Sequence, residues 1–296
     1  MHKLLNIQFM TPKIIFAGPV QNSAKHLPAV FQNIENMSHL ASETAYVFVE
    51  NDSTDSTKID IQNFGLNKPN FTFISLDGLN QIPVRTLRLE MVRNAYLEFI
   101  KSDPKLRGFD FLVVLDMDEG NTHQVPILAF SDALAFLSEL DSRAAVFANQ
   151  QGSYFDMWAL RSKDLCPCDA WQEVFDYAHE NRVSDEQAFA QTFAKRVLSI
   201  ETNKPPIKVD SAFGGLGIYK LKFVLENLNP YLGSKIKILK NDQGGMNVLR
   251  TQICEHVHFH EGLISQKGDL FIFPSLVNGV LAEIPFNPSF YRSLIF

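Results

Sequence analysis

Between residues 13 and 115, short apolar runs and longer helical patterns take turns, and this order constrains the fold more than any other feature. Lys13-Ile14-Ile15-Phe16-Ala17 reads as a strand ended by Gly18-Pro19. Within Ala24 to Met37, Leu27, Val30, Phe31 and Ile34 recur at helical spacing. Thr44 to Glu50 and Phe71 to Leu76 read as further strands, and Val84 to Lys101 as a helix free of Gly and Pro. Phe109 to Leu115 is apolar apart from Asp110, as suits a strand buried on both faces. Strand and helix in alternation imply an α/β chain with a mostly parallel sheet flanked by helices.

The second half is less regular. Its patterns predict helices near Phe130 to Leu140, Ala170 to Glu180 and Ser184 to Leu198, and strands at Ala144 to Ala148 and near Phe155 to Leu160. Thr202 to Pro206 is the best linker candidate, but it lies between elements of one region, so residues 1–296 are read as a single domain. With 46% apolar residues and 25 Phe in 296, a large core is available, and disordered or collagen-like chains are excluded. A net charge of -6 offers no footprint for nucleic acid. Three cysteines are too few for a disulfide framework or a zinc cage. No apolar run of roughly 18 residues spans a membrane, and Met1 to Met10 lacks the pattern of a signal peptide. The expectation is a soluble, cytoplasmic protein.

In open α/β sheets, ligands bind at the carboxyl ends of the strands. After the fourth strand stands Asp116-Met117-Asp118-Glu119. In extended chain Asp116 and Asp118 project to the same side, and two carboxylates so placed repel unless a cation sits between them. Oxygen ligands of this kind suit Mg2+ or Mn2+, which are commonly shared with substrate phosphates, and so point to a nucleotide diphosphate; the alternative is an acidic turn that closes the strand, which the apolar run before it disfavours. The second strand ends in Glu50-Asn51-Asp52-Ser53-Thr54-Asp55, which can contact a nucleoside or simply form a capped turn. Arg85, Arg88 and Arg93 lie on a helix apolar on nearly every side, so their guanidinium groups need anionic partners, either phosphates or nearby carboxylates. In Cys254-Glu255-His256-Val257-His258-Phe259-His260, an imidazole, foremost His256, could complete the metal shell, or the histidines could be hydrogen-bonded structurally. Phe213-Gly214-Gly215-Leu216-Gly217 is no P-loop. Its glycines allow close approach to a ligand or a tight turn into a strand at Gly217 to Tyr219.

Together these segments resemble nucleotide-sugar glycosyltransferases of the GT-A (Rossmann-like) fold, over roughly residues 13 to 275. The matching pieces are Val49-Glu50-Asn51-Asp52-Ser53-Thr54-Asp55, Arg93-Asn94, and the pair Asp116 and Asp118. Arg85-Thr86-Leu87-Arg88-Leu89 with Arg93-Asn94, then Tyr154 to Arg161, the stretch Phe213 to Tyr219, Cys254 to His260 and Phe271 to Pro274 are similar to a narrower group. That group comprises the fungal capsule-associated and α-1,3-mannosyltransferase-like proteins with their bacterial and viral relatives. The fungal members are usually membrane-anchored, which makes a bacterial or viral cytoplasmic enzyme the better match.

The resemblance implies metal-dependent transfer of a hexose from a nucleotide diphosphate sugar to a saccharide acceptor. About residues 1–120 would form the nucleotide half, and about 121–296 the acceptor half. Asp116, Asp118 and His256 would hold Mn2+ or Mg2+. Glu50, Asn51, Asp52, Arg85, Arg88, Arg93 and Asn94 would bind the donor, and Asp156, Trp158, Gly214 and Gly215 the sugar or acceptor. An inverting enzyme needs a carboxylate base, for which Glu255, Asp210 and Asp242 are candidates in that order; a retaining one does not. Two rivals are a nucleotidyltransferase, for which Gly18-Pro19-Val20-Gln21-Asn22 is a poor phosphate loop, and a non-catalytic carbohydrate-binding protein.

Overall fold

The computed structural model describes residues 11–240 and 243–281. Its elements run β1 (Lys13–Val20), α1 (Leu27–Ser38), β2 (Glu43–Asn51), α2 (Thr57–Gly65), β3 (Phe71–Leu76), α3 (Arg85–Ser102), β4 (Phe111–Leu115), α4 (Ile127–Glu139) and β5 (Arg143–Gly152). There follow α5 (Ala170–Asn181), α6 (Asp185–Gln191), α7 (Phe193–Arg196), β6 (Ile207–Val209), β7 (Leu216–Lys220), α8 (Leu221–Glu226), β8 (Ser234–Lys240), β9 (Met246–Gln252), α9 (Glu255–Ser265) and β10 (Asp269–Leu281).

An eight-stranded sheet has the order β3-β2-β1-β4-β7-β5-β10-β6, and β8 with β9 forms a separate hairpin. The β1, β2, β3 and β4 pairings are parallel, as the alternating first half requires. Strand β7 runs antiparallel between β4 and β5. Its amino-terminal end therefore reaches the same edge as the carboxyl ends of β1, β2 and β4. That reversal brings Gly214-Gly215 beside Asp116, whose backbone N–H donates to the Gly215 carbonyl at 2.9 Å.

Both faces of the sheet are covered. Leu27, Val30 and Ile34 of α1 pack with Phe130 and Leu137 of α4 against Phe16, Phe48 and Val113. On the other face Tyr96 and Ile100 of α3, with Phe259 and Leu263 of α9, meet Leu112, Phe147 and Tyr219. Strand β4 is fully buried from Phe111 to Leu115, which explains its uninterrupted apolar run.

The structure departs from the sequence reading at several places. Strand β1 continues through Gly18-Pro19 to Val20, because a Cβ at Gly18 would stand 2.2 Å from the Leu115 carbonyl oxygen and only glycine allows β4 so near. The helix expected over 184–198 is broken at Thr192, whose hydroxyl bonds back to the Ala188 carbonyl at 2.7 Å. No strand forms over 155–160. There Asp156 accepts from the Ala159 and Gly214 N–H groups and folds the segment into a turn, and Arg161 donates to the Trp158 and Leu160 carbonyls. Of Cys254 to His260, open between helix and strand in sequence, Glu255 to His260 begin α9 and Cys254 stands at its N-cap. Among the described residues, no helix is long and apolar enough to cross a membrane.

Candidate functional site

Three cavities meet at this sheet edge, of about 170, 480 and 1020 Å³, and Arg85 and Asp116 line all three. The smallest lies between the ends of β1 and β2 and the amino-terminal turns of α3, with Asn51, Arg88 and Asp118 in its wall. The second is aromatic: Phe155, Trp158, Trp171, Phe193 and Phe213 surround Arg93, Asp156, Glu255 and His256. The third opens toward Asp118, Gln150, Phe155 and Gly215.

Asp116 and Asp118 stand where the extended pattern puts them, just beyond β4. Asp118 is exposed and its Oδ1 accepts from the Gly120 N–H at 2.9 Å. Desolvation within the cleft, and then the neighbouring Asp116 charge, hold its carboxyl above the usual carboxylate range. Crowded negative charge of this kind is what a divalent cation relieves, so the pair fits Mn2+ or Mg2+. Among the described residues, no group of three His, Cys, Asp or Glu is assembled as a cation cage. A two-carboxylate site of this sort leaves the remaining positions to phosphate and water, which is the habit of Mg2+ sites.

Arg93 lies in the wall of the aromatic cavity. Its guanidinium is 2% exposed, donates from Nη2 to Asp116 Oδ1 at 2.7 Å and from Nε to Glu255 Oε1 at 2.8 Å, and lies over the Phe213 ring at 5.0 Å. The carboxylate alternative left open in the sequence is thus met for this arginine. Nη1 of Arg93 is buried without a hydrogen bond. Arg85 is exposed at the cavity junction, and Arg88, half-buried, donates to the Ile82 carbonyl at 2.6 Å. Helix α3 is accordingly not buried all round; Met91 on it is exposed.

The histidines sort themselves by environment. His260 is buried, with Nδ1 2.8 Å from the Ser211 hydroxyl and Nε2 3.0 Å from the Tyr219 hydroxyl, and burial drives its pKa down to about 3. His258 is half-exposed and faces Glu261 at 3.4 Å. His256 lines the aromatic cavity, stacked on Phe213 with centroids 3.9 Å apart, and neither ring nitrogen has a hydrogen bond. Burial and the Arg93 charge hold it well below the usual imidazole range, hence neutral.

Asp156 is the second perturbed acid. Burial pushes its pKa up to about 6, against the lowering effect of the Gly214 and Ala159 N–H groups. Gly214 and Gly215 take φ of +65° and +80°, and a Cβ at Gly214 would stand 2.6 Å from the Ala148 carbonyl oxygen. Trp158 is 9% exposed in the same wall.

Several residues expected at the donor or acceptor are spent elsewhere. Glu50 is completely buried and accepts from the Ser53 N–H and the Ser75 hydroxyl, so it shapes the turn after β2. Asp52, at φ +48°, accepts from the Gly78 and Asn80 N–H groups at 2.6 and 2.8 Å and pins the chain after β3. Asn51 Nδ2, by contrast, is buried without a hydrogen bond in the smallest cavity. Both ends of the Asn94 amide bond the Tyr231 backbone. Asp210 is exposed and lines none of the three cavities. Asp242 lies outside the described residues.

Sequence reasoning missed the support behind the carboxylates. Asn121 Nδ2 donates to the Asp116 and Gly215 carbonyls at 2.8 and 2.7 Å, while its Oδ1 accepts from Asn278. Gln150 and Asn278 both donate to the Gly214 carbonyl. These amides stand at positions 121, 150 and 278, and no local spacing announces them.

No protein-family model matches the chain, and no curated protein matches it by sequence. Solved structures do. The mannosyltransferase PcManGT from Pyrobaculum calidifontis, in complex with GDP-Man and Mn2+, aligns over 95% of this chain and 59% of its own, at 14% identity and a TM-score of 0.50. TarS 1-349 from S. aureus, in complex with UDP-GlcNAc, aligns over 93% of this chain and 60% of its own, at 15% identity and a TM-score of 0.47. Glucosyl-3-phosphoglycerate synthase from Mycobacterium tuberculosis with UDP aligns over 96% and 78%, at 13% identity and a TM-score of 0.42. This chain thus spans about three fifths of PcManGT and of TarS 1-349. The likeness to PcManGT defines the fold as GT-A, an α/β chain with a mostly parallel central sheet flanked by helices.

Proposed function

We propose that this protein is a divalent-metal-dependent glycosyltransferase that moves a hexose from a nucleotide diphosphate sugar to a saccharide acceptor. The observation that carries the reading is the junction of three cavities at Asp116 and Arg85, with Asp118 at its rim. That PcManGT was solved with GDP-Man and Mn2+, and TarS with UDP-GlcNAc, supports the same chemistry here.

The smallest cavity takes the nucleotide, with Asn51 offering its unpartnered amide to the nucleoside. Asp116 and Asp118 would hold Mn2+ or Mg2+, which supplies positive charge against the departing diphosphate. Arg85 and Arg88 add cationic charge beside the same phosphates. Arg93 acts one step back, fixing the Asp116 carboxylate. The aromatic cavity takes the sugar and acceptor, whose apolar ring faces suit Trp158 and Phe155. Glu255 is the base candidate that lines it; its ion pair with Arg93 ties the acceptor wall to the metal carboxylates. His256, neutral and unpartnered, offers a hydrogen bond to the sugar or a further metal contact. The first half of the chain supplies the nucleotide site and the second half the acceptor wall, in one functional unit.

A panel of UDP-, GDP- and dTDP-sugars tests the reading by metal-dependent hydrolysis and thermal stabilisation. At least one donor is expected to be hydrolysed and to raise the melting temperature only with Mn2+ or Mg2+. No response to any donor would leave a non-catalytic carbohydrate-binding protein as the better account.

A further inference from the structure

The β8–β9 hairpin carries an apolar face that the other described residues do not cover. Directly opposed residues of an antiparallel pair share a face, and the register sets Ile236 against Arg250 and Ile238 against Val248. Ile236, Ile238, Val248 and Met246 are 61 to 71% exposed. The opposite face is anchored: Lys237 Nζ reaches Asp176 of α5 at 3.3 Å. The hairpin base is fixed to α3, where Thr86 donates to Gln252 at 3.0 Å and the Gly233 N–H donates to Glu90 at 2.7 Å. Thr86 adjoins Arg85, which lines all three cavities, so the base of the hairpin lies near the cleft.

Charge selects the occupant. Residues 234–252 hold four cations and one acid in a chain whose net charge is -6. Two hairpins of separate copies would repel, and lysines on a strand oppose edge pairing. No aromatic residue is present in this span for stacking on bases. Isoleucine, valine and methionine share this face with Arg250, and the exposed Lys235 stands on the other side of the same strand, which matches a surface that is anionic outside and apolar beneath. We propose that the β8–β9 hairpin docks the protein on an anionic lipid surface. The docking is separate from sugar transfer, because it needs neither donor nor metal.

Co-sedimentation of the full chain with phosphatidylcholine vesicles, with and without phosphatidylglycerol, tests this. Binding is expected only with the anionic lipid and is expected to weaken as salt rises. The triple variant Ile236→Ser, Ile238→Ser, Val248→Ser should lose it. The variant Lys235→Glu, Arg250→Glu should weaken it roughly tenfold or more. Both variants should keep the wild-type circular dichroism, since all five side chains are exposed. Equal binding to both vesicle types, or no binding to either, would overturn the proposal. So would a dimer in sedimentation velocity that the triple variant abolishes, which would make a second copy the occupant.

Discussion

Arg93 concentrates the electrostatics of the site in one buried guanidinium, flanked by Asp116 and Glu255. Removing Arg93 leaves the Glu255 carboxylate buried and without its ion pair, a change that typically costs about 3–5 kcal/mol. Arg93→Met is therefore expected to lower the unfolding free energy by about that amount in a urea titration; a loss below about 1 kcal/mol would contradict the geometry. Asp156 gives a pH dependence. Its folded-state pKa of about 6 lies above that of an unfolded aspartate, so the native state binds the proton more tightly. Stability from this group is thus full below about pH 4, falls through about pH 6 and stays lost above it. Discounted for solvent screening, the loss is about 1–2 kcal/mol. Asp156→Asn lacks the titration, so the difference between wild type and variant should drift by that amount between about pH 4 and about pH 7. A pH-independent difference would contradict the assignment.

At the scale of elements, much of the first half was legible because a parallel strand buried on both faces announces itself as an apolar run. Phe111–Leu115 and the carboxylates beyond it followed directly. Phe155 to Leu160 looked like a strand for the same apolar reason, but the Asp156 carboxylate captures two backbone N–H groups and turns the chain. The alternation Lys235-Ile236-Lys237-Ile238 followed by Gly244-Gly245 was a readable hairpin signal that went unused. Strand β10 was hidden by Pro274 and by register shifts between Ile272 and Val277. The amide network of Asn121, Gln150 and Asn278 could not be read at all, because its members meet only after the sheet has formed. The turn it holds is strained in a way that fits glycine alone. Gly214→Ala forces a side chain onto φ +65° and toward the Ala148 carbonyl, and should destabilise the protein by about 1–3 kcal/mol in thermal unfolding. An unchanged melting temperature would contradict the packing described for β7.

At the scale of the molecule, an antiparallel β7 among parallel neighbours returns the second half of the chain to the edge built by the first. The sheet thereby places a glycine turn, two carboxylates and an α3 arginine around one junction. A ligand that binds only this folded arrangement stabilises it by mass action, by about 2.7 kcal/mol at a hundredfold excess over its Kd. Metal and nucleotide should therefore raise the melting temperature together and far less apart. Calorimetric titration of UDP and GDP into wild type and Asp118→Ala, each with Mn2+ and with EDTA, addresses the metal site most directly. Wild type is predicted to bind one of the two nucleotides at least about tenfold more tightly with Mn2+ than with EDTA, and Asp118→Ala to lose that difference. Equal affinity for each nucleotide across the four combinations of protein and metal condition would contradict a metal-bridged diphosphate at Asp116 and Asp118.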